Sequence, residues 1–394
     1  MKNIEILDKN ECCGCKSCSQ KCPQKAINMI ENSEGFWYPK IDKSKCIDCG
    51  LCVKVCPQLK KAEERKDKYP KVYAMYNKNK QELLKSSSGG IFVSIANWVL
   101  EQNGVVFGAA YDNDLKVKHI KIENQEQLKL LQGSKYVQSD IMNTYKEAEK
   151  ELKSNKKVLF SGTPCQIYGL KSFLIKEYDN LITCDIVCHG VPSPKLFEKY
   201  IEYLSIKYKS NIREYNFRSK EKKGWGLVTK ITMDNGKSKF IEPDFDPYYS
   251  NFLDGNTYRE CCYNCHYSSY NRVSDITLAD YWGIHKIHPD FYREDGNSLI
   301  LVNTAKGEDI INLIENNIKK IETNIDKAAN SNRNLKEPSK RTKTRDEIYN
   351  KIDEMESNKY IEKMLKVKVT PKKIIKMLIP NRLKKIIKKA RKII

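Results

Sequence analysis

Two four-cysteine runs near the start of the chain restrict what it can fold into more than any other feature. Cys12, Cys15, Cys18 and Cys22 precede Pro23, and Cys46, Cys49, Cys52 and Cys56 precede Pro57, so the pattern Cys-x-x-Cys-x-x-Cys-x-x-x-Cys-Pro occurs twice. Three thiolates spaced two residues apart can wrap three corners of a small cuboid, and the proline turns the chain away after the fourth. Deprotonated thiolates are soft ligands that suit iron. Zinc would need only Cys-x-x-Cys pairs and would leave the third cysteine of each run unexplained. Disulfides need an oxidising compartment, and the opening Met1-Lys2-Asn3-Ile4-Glu5 has no apolar signal core. The expectation is two iron–sulfur clusters in a cytoplasmic protein, with Cys13 spare.

The doubled pattern resembles that of bacterial two-cluster ferredoxins, in which the fourth cysteine of each run serves the other cluster. The resemblance implies one [4Fe–4S] cluster on Cys12, Cys15, Cys18 and Cys56, and another on Cys46, Cys49, Cys52 and Cys22. With 394 residues, 40% of them hydrophobic, the chain has room for a much larger unit behind this module. No run approaches the ~20 apolar residues that span a bilayer; the longest, Gly90 to Leu100, is interrupted by Ser94, Asn97 and Trp98.

The pattern divides the chain into a cluster module over 1–60, a charged linker from Lys60 to Lys68, a large domain in two parts over 72–153 and 154–325, and a polar, basic helical tail over 326–394. Val72 to Tyr76 alternates like a strand. Ile91 to Leu100 has helical spacing and stops at Asn103-Gly104. Val105 to Ala110 and Lys116 to Ile122 read as paired strands, and Asp140 to Lys153 as an amphipathic helix. Val158 to Phe160 is a buried strand running into a helix with Thr163 as N-cap and Pro164 at its first position. Leu181 to Val187 is a strand and Pro194 to Lys207 a helix. Ile212 to Phe240 reads as antiparallel strands turning at Asn235-Gly236. The fold class is therefore α+β: a two-cluster module, a mixed α/β domain and a helical tail.

Cys165, Cys188, Cys262 and Cys265 fall at strand ends or turns, where ligands gather. They are either a third cluster's ligands or buried free thiols; Cys184 reads as core. Around them, in order, stand Ser88-Gly89-Gly90, Ser134 to Ser139, Gly162 to Gln166, Cys188 to Ser193, Cys262-x-x-Cys265 and Asp275 to Gly283. Together these six motifs resemble the coenzyme F-420 hydrogenase/dehydrogenase beta-subunit family over roughly 70–325.

That resemblance implies an iron–sulfur flavoprotein: a third [4Fe–4S] cluster on Cys165, Cys188, Cys262 and Cys265, and FAD bound by the glycine-rich segments. Cys261 stands where the family usually has another residue, so either Cys261 or Cys262 is the ligand. Ser88, Gly89 and Gly90 precede a helix and could meet a pyrophosphate. Lys135, Tyr136, Gln138, Gly162, Thr163, Asp280 and Trp282 are the other candidate flavin contacts. His189 and Lys135 are the candidate catalytic groups.

The net charge is +21, and ten basic residues with no acid lie between Pro371 and Ile394, opposite an Ile/Leu face at helical spacing. This pattern suits an anionic membrane surface or a partner; nucleic acid is disfavoured for want of interleaved aromatics. The expected function is an oxidoreductase taking electrons from a ferredoxin-like donor to a flavin and on to an unidentified two-electron acceptor, in polysaccharide biosynthesis by analogy with family members. The alternatives are an electron-transfer subunit serving a separate catalytic protein, and a non-redox assembly partner with structural clusters.

Overall fold

The computed structural model describes residues 3–60 and 70–367. All but Lys60 of the expected linker, and the whole basic stretch 371–394, lie outside the described residues.

In the N-terminal module β1 (Ile27–Glu31) pairs antiparallel with β2 (Trp37–Ile41). Each cysteine run makes the same local turn. Lys16 after Cys15 and Gly50 after Cys49 both adopt the left-handed conformation, at φ 61° and 70°. Each then starts a short helix, Ser17–Lys21 or Leu51–Lys54, that carries the third cysteine. Ile4, Leu7, Ile27 and Ile41 pack with the cysteines into a small core.

The large domain is built on one eight-stranded sheet. Its strands are β3 (Lys71–Asn77), β4 (Val105–Tyr111), β5 (Val117–Ile122), β6 (Val158–Gly162), β7 (Leu181–Ile186), β11 (Ile276–Asp280), β12 (Ser298–Val302) and β13 (Ile318–Glu322), ordered β13-β3-β12-β11-β7-β6-β4-β5. The centre, β4, β6, β7 and β11, is parallel, and antiparallel strands close both sides. Parallel strands are covered on both faces and read as continuous apolar runs, as Val158 to Phe160 does. The helix Ile91–Glu101 packs in one core with Ile300, Ile310 and Ile311. The helices Thr144–Lys153 and Pro164–Leu174 pack in the other with Phe107 and Phe160. Because β6, β7 and β11 run together, the loops bearing Cys165, Cys188 and Trp282 leave the same edge of the sheet, which is where such sheets place ligands. The expected antiparallel insertion is a separate sheet, β10-β9-β8, from β8 (Ile212–Asn216), β9 (Thr229–Met233) and β10 (Ser238–Ile241), turning at Gly236.

The segment beyond 326 departs from the expected tail. The polar, basic helical tail expected over 326–394 holds, in its described part, two short helices near its end, Thr344–Asn350 and Ser357–Met364. Ile348, Tyr349, Ile352, Tyr360, Ile361 and Leu365 are buried with the helix Pro194–Tyr208 in an aromatic-rich core. The lysines between these apolar positions disguised their spacing. Arg345, its side chain 3% exposed, pairs with Glu34 in the β1–β2 turn and donates to the Tyr258 carbonyl. The end of the described chain thereby clasps the N-terminal module. No helix among the described residues is long and apolar enough to cross a membrane.

Arg345→Met should lower the urea unfolding midpoint by the equivalent of about 2–3 kcal/mol, somewhat less than a fully buried pair because Glu34 stays partly wet. Glu34→Gln should cost less, since Arg345 keeps its carbonyl partner. Equal midpoints for all three proteins would rule out the clasp.

Candidate functional site

The two cysteine runs close two separate cavities. One is lined by Cys12, Cys15, Cys18 and Cys56, walled by Ile4, Leu7 and Met29. The other is lined by Cys22, Cys46, Cys49 and Cys52, walled by Ile27, Ile41 and Leu51. The fourth cysteine of each run lines the other run's cavity. Burial pushes the Cys18, Cys52 and Cys56 thiols up, so filling either cavity with a metal group must release protons. Among the described residues no three His, Cys, Asp or Glu side chains are arranged to hold a single ion. Four thiols ringed about a cavity are what a cuboid cluster needs.

The third cysteine set also converges. Cys165 lies in the first turn of the helix Pro164–Leu174, which Thr163 and Gln166 close as a capping box, and Thr163 Oγ1 is 3.1 Å from its Sγ. Cys188 follows β7, while Cys262 and Cys265 lie in and just after a 3-10 turn over Glu260–Asn264. Beyond burial, the Cys188 thiol is raised by Cys165 and Cys265, and Cys262 feels Cys188, Cys265 and Cys165. Cys13 and Cys261 fill the seam to the N-terminal module. Cys13 and Cys261 pack with Cys15, and Cys165 and Cys262 lie against the three of them. Gly169 faces Cys15 so closely that an added Cβ would sit 3.0 Å from its Cβ and 3.1 Å from its Sγ. Cys184 is fully buried in the sheet's core.

Beside this set lies a polar cluster. Arg218, its side chain 1% exposed, donates two 2.8 Å bonds to Asp280, and Trp225 Nε1 donates to the same carboxylate at 2.7 Å. Trp225 and Trp282 stack at 4.9 Å, 4° from parallel. Tyr136 accepts from Arg218, and Ser87, whose carbonyl also accepts from Arg218, receives bonds from the Ser134 amide and hydroxyl. His189 feels both Asp280 and Arg218, and burial lowers its pKa. Lys135 donates to the carbonyls of Gln132 and Gly133, Lys220 to those of Leu83 and Ser88. Burial brings each of these amines down to about 7.

Other expected contacts are occupied differently. Gly89 is squeezed between β3 and β12, where a Cβ would sit 2.5 Å from the Met75 carbonyl oxygen, and its N–H goes to Ser298 Oγ. Ser88 donates to the Asn297 carbonyl, and Gly90, at φ 76°, starts the helix Ile91–Glu101. Gln138 is buried away from the polar cluster, donating to the Cys13 carbonyl and accepting from Arg259. Gly162 packs against Gln166 and His119.

Residues 155–327 match the family of the C-terminal part of the coenzyme F420 hydrogenase/dehydrogenase beta chain. Two 4Fe-4S dicluster families match residues 11–59 and 38–84. The chain carries a domain of the beta-subunit family behind a 4Fe-4S dicluster module. A chain of the F420-reducing [NiFe] hydrogenase complex of Methanosarcina barkeri, solved after xenon derivatization, is 16% identical at a TM-score of 0.46, over 68% of this chain and 90% of that one. No curated protein matches. In its coarse function the chain thus carries an iron–sulfur module of the electron-transferring 4Fe-4S dicluster kind.

Sequence reading missed Arg218, Lys220 and Trp225 of the beta-subunit domain. The two cations lie in Arg218-Ser219-Lys220-Glu221-Lys222-Lys223, a run that looks like solvated surface, and the alternation that turns Tyr215 and Phe217 inward would by itself turn Arg218 outward.

Arg218 and Lys220 give this cluster more positive charge than Asp280 cancels, and burial depresses the Lys220 amine. An anion favours the protonated Lys220, so above pH about 7 its binding requires proton uptake and weakens. Inorganic pyrophosphate should therefore bind the protein more tightly at pH 6 than at pH 8.5, and Lys220→Met should flatten the dependence in calorimetry. A wild-type affinity independent of pH would contradict this.

Proposed function

We propose that the chain is an iron–sulfur flavoprotein oxidoreductase of the beta-subunit type, with [4Fe–4S] clusters on Cys12, Cys15, Cys18 and Cys56, on Cys22, Cys46, Cys49 and Cys52, and on Cys165, Cys188, Cys262 and Cys265, and with FAD at the Arg218–Asp280 cluster. The observation that carries it is the cysteine seam: Cys13, Cys15 and Cys261 pack together with Cys165 and Cys262 against them, and the cysteines of the two N-terminal runs share one small core, so the three thiol groups adjoin one another. Clusters of this kind store single electrons and a flavin stores two, which is what most organic reductions take.

The chain's own residues hold, space and shield these groups. Ile4, Leu7 and Met29 keep water from the inner cavity, and Arg218 and Lys220 offer positive charge to a flavin phosphate while the Trp225–Trp282 pair offers an aromatic wall. His189 stands where a proton could be passed, and its lowered pKa keeps it neutral near pH 7. The outer cavity is open to a donor: Cys49 is exposed, and Ile47, which occupies in the second run the position of Cys13 in the first, is 62% exposed. A ferredoxin-like protein is the donor this face suits. The two-electron acceptor belongs to the class of small organic oxidants, polysaccharide precursors among them.

Anaerobic purification should give brown protein with about twelve irons, matching sulfide and one FAD per chain. Cys165→Ser should retain about eight irons. A colourless product, or zinc in place of iron, would refute the proposal; twelve irons without flavin would leave only the electron-transfer reading.

A further inference from the structure

The two halves of the N-terminal repeat have the same backbone but opposite electrostatic surroundings. At the inner cavity, Cys12-Cys13-Gly14-Cys15 lies against Arg259, which is fully buried. Its Nε donates to the Cys12 carbonyl at 2.6 Å, Nη2 to the Trp37 carbonyl at 3.0 Å, and Nη1 to Gln138 Oε1 at 3.2 Å. Its guanidinium carbon lies 4.1 Å from the Tyr38 ring centroid and 5.3 Å from that of Phe36. No carboxylate pairs with it among the described residues. Burial opposes its charge, and the nearby Cys12, Tyr38, Cys261 and Cys13 groups favour it. The fit depends on Gly14: at φ 67° it lets the loop pass so close that an added Cβ would sit 3.0 Å from Nη1. The other cation at this cavity, Lys16, is neutralised by Asp140.

At the outer cavity the corresponding loop is Cys46-Ile47-Asp48-Cys49. There Asp48 replaces Gly14, its carboxylate 3.7 Å from Cys46 Sγ. One half of the repeat therefore has a buried positive charge against its cysteine loop, and the other an exposed negative one.

A buried charge that lacks a counter-ion is strongly unfavourable unless something of opposite sign stands beside it. We infer that Arg259 is a positioning residue whose counter-charge is the thiolate-bound group of the inner cavity, and that it makes this group the more easily reduced of the two. Reduction adds one electron, supplied by a low-potential one-electron donor protein, and breaks no bond. The added negative charge is stabilised by the guanidinium in low dielectric. Electrons arriving at the exposed outer face are thus drawn inward, toward Cys165.

The inference rests on the two N-terminal clusters proposed above, and its test separates the two. Iron content of wild-type protein checks the clusters; failure there takes both down. With the irons present, a redox titration followed by electron paramagnetic resonance should resolve two N-terminal potentials. Arg259→Gln should lower one of them by at least a tenfold change in the reduction equilibrium, about 59 mV for one electron, and leave the other in place. Gln138→Glu, which neutralises the same guanidinium without removing it, should act in the same direction and covers the case in which Arg259→Gln does not assemble. Arg259→Lys should stay near wild type. An unmoved potential in whichever charge variant keeps its iron would overturn the inference. So would an equal fall in Arg259→Lys, because packing rather than charge would then be responsible.

Discussion

The contact on which the rest of the structure depends is the one between the first cysteine loop and the helix Pro164–Leu174. At Gly169 that helix has no side chain, so Cys15 and the helix come together at van der Waals distance. One residue type at one helical position thus decides that the N-terminal module sits against the beta-subunit domain and presents its first cysteine ring to Cys165. Arg259, Gln138 and Cys13 then fill the seam with hydrogen bonds, and Arg345 ties it from outside through Glu34. Every element of the seam comes from a different part of the sequence, so the seam exists only in the folded chain.

The parallel strands bring the opposite side of the site to the same place. β6, β7 and β11 end in register at one edge of the sheet, and Cys165, Cys188, Asp280 and Trp282 lie on or just after those ends. The polar cluster around Arg218 and the third cysteine set are neighbours for this reason. His189, one residue from Cys188, feels the charges of that cluster.

Much of this was legible in the sequence where local chemistry dominates. The doubled cysteine pattern, the Thr163–Pro164 helix start and the Asn235-Gly236 turn all work through residues adjacent in the chain, and each stands where its pattern placed it. What was not legible depends on long-range burial. Arg259, Arg218 and Lys220 are cations in a chain full of surface cations, and nothing in their immediate neighbours shows that they are enclosed. Gln138 sits in a motif expected to meet a flavin, yet its amide is taken by the module docked above it. The apolar positions of the helices Thr344–Asn350 and Ser357–Met364 were hidden because each helix is short and interleaves them with charged residues.

Electron flow through this chain requires that the inner N-terminal cysteine ring and the Cys165 set be immediate neighbours. The most direct measurement compares the paramagnetic resonance spectrum of fully reduced wild-type protein with that of Cys165→Ser. If the two groups touch through Cys13, their spins interact, and removing the third set narrows the signals that remain. Remaining signals identical in shape to their share of the wild-type spectrum would contradict it.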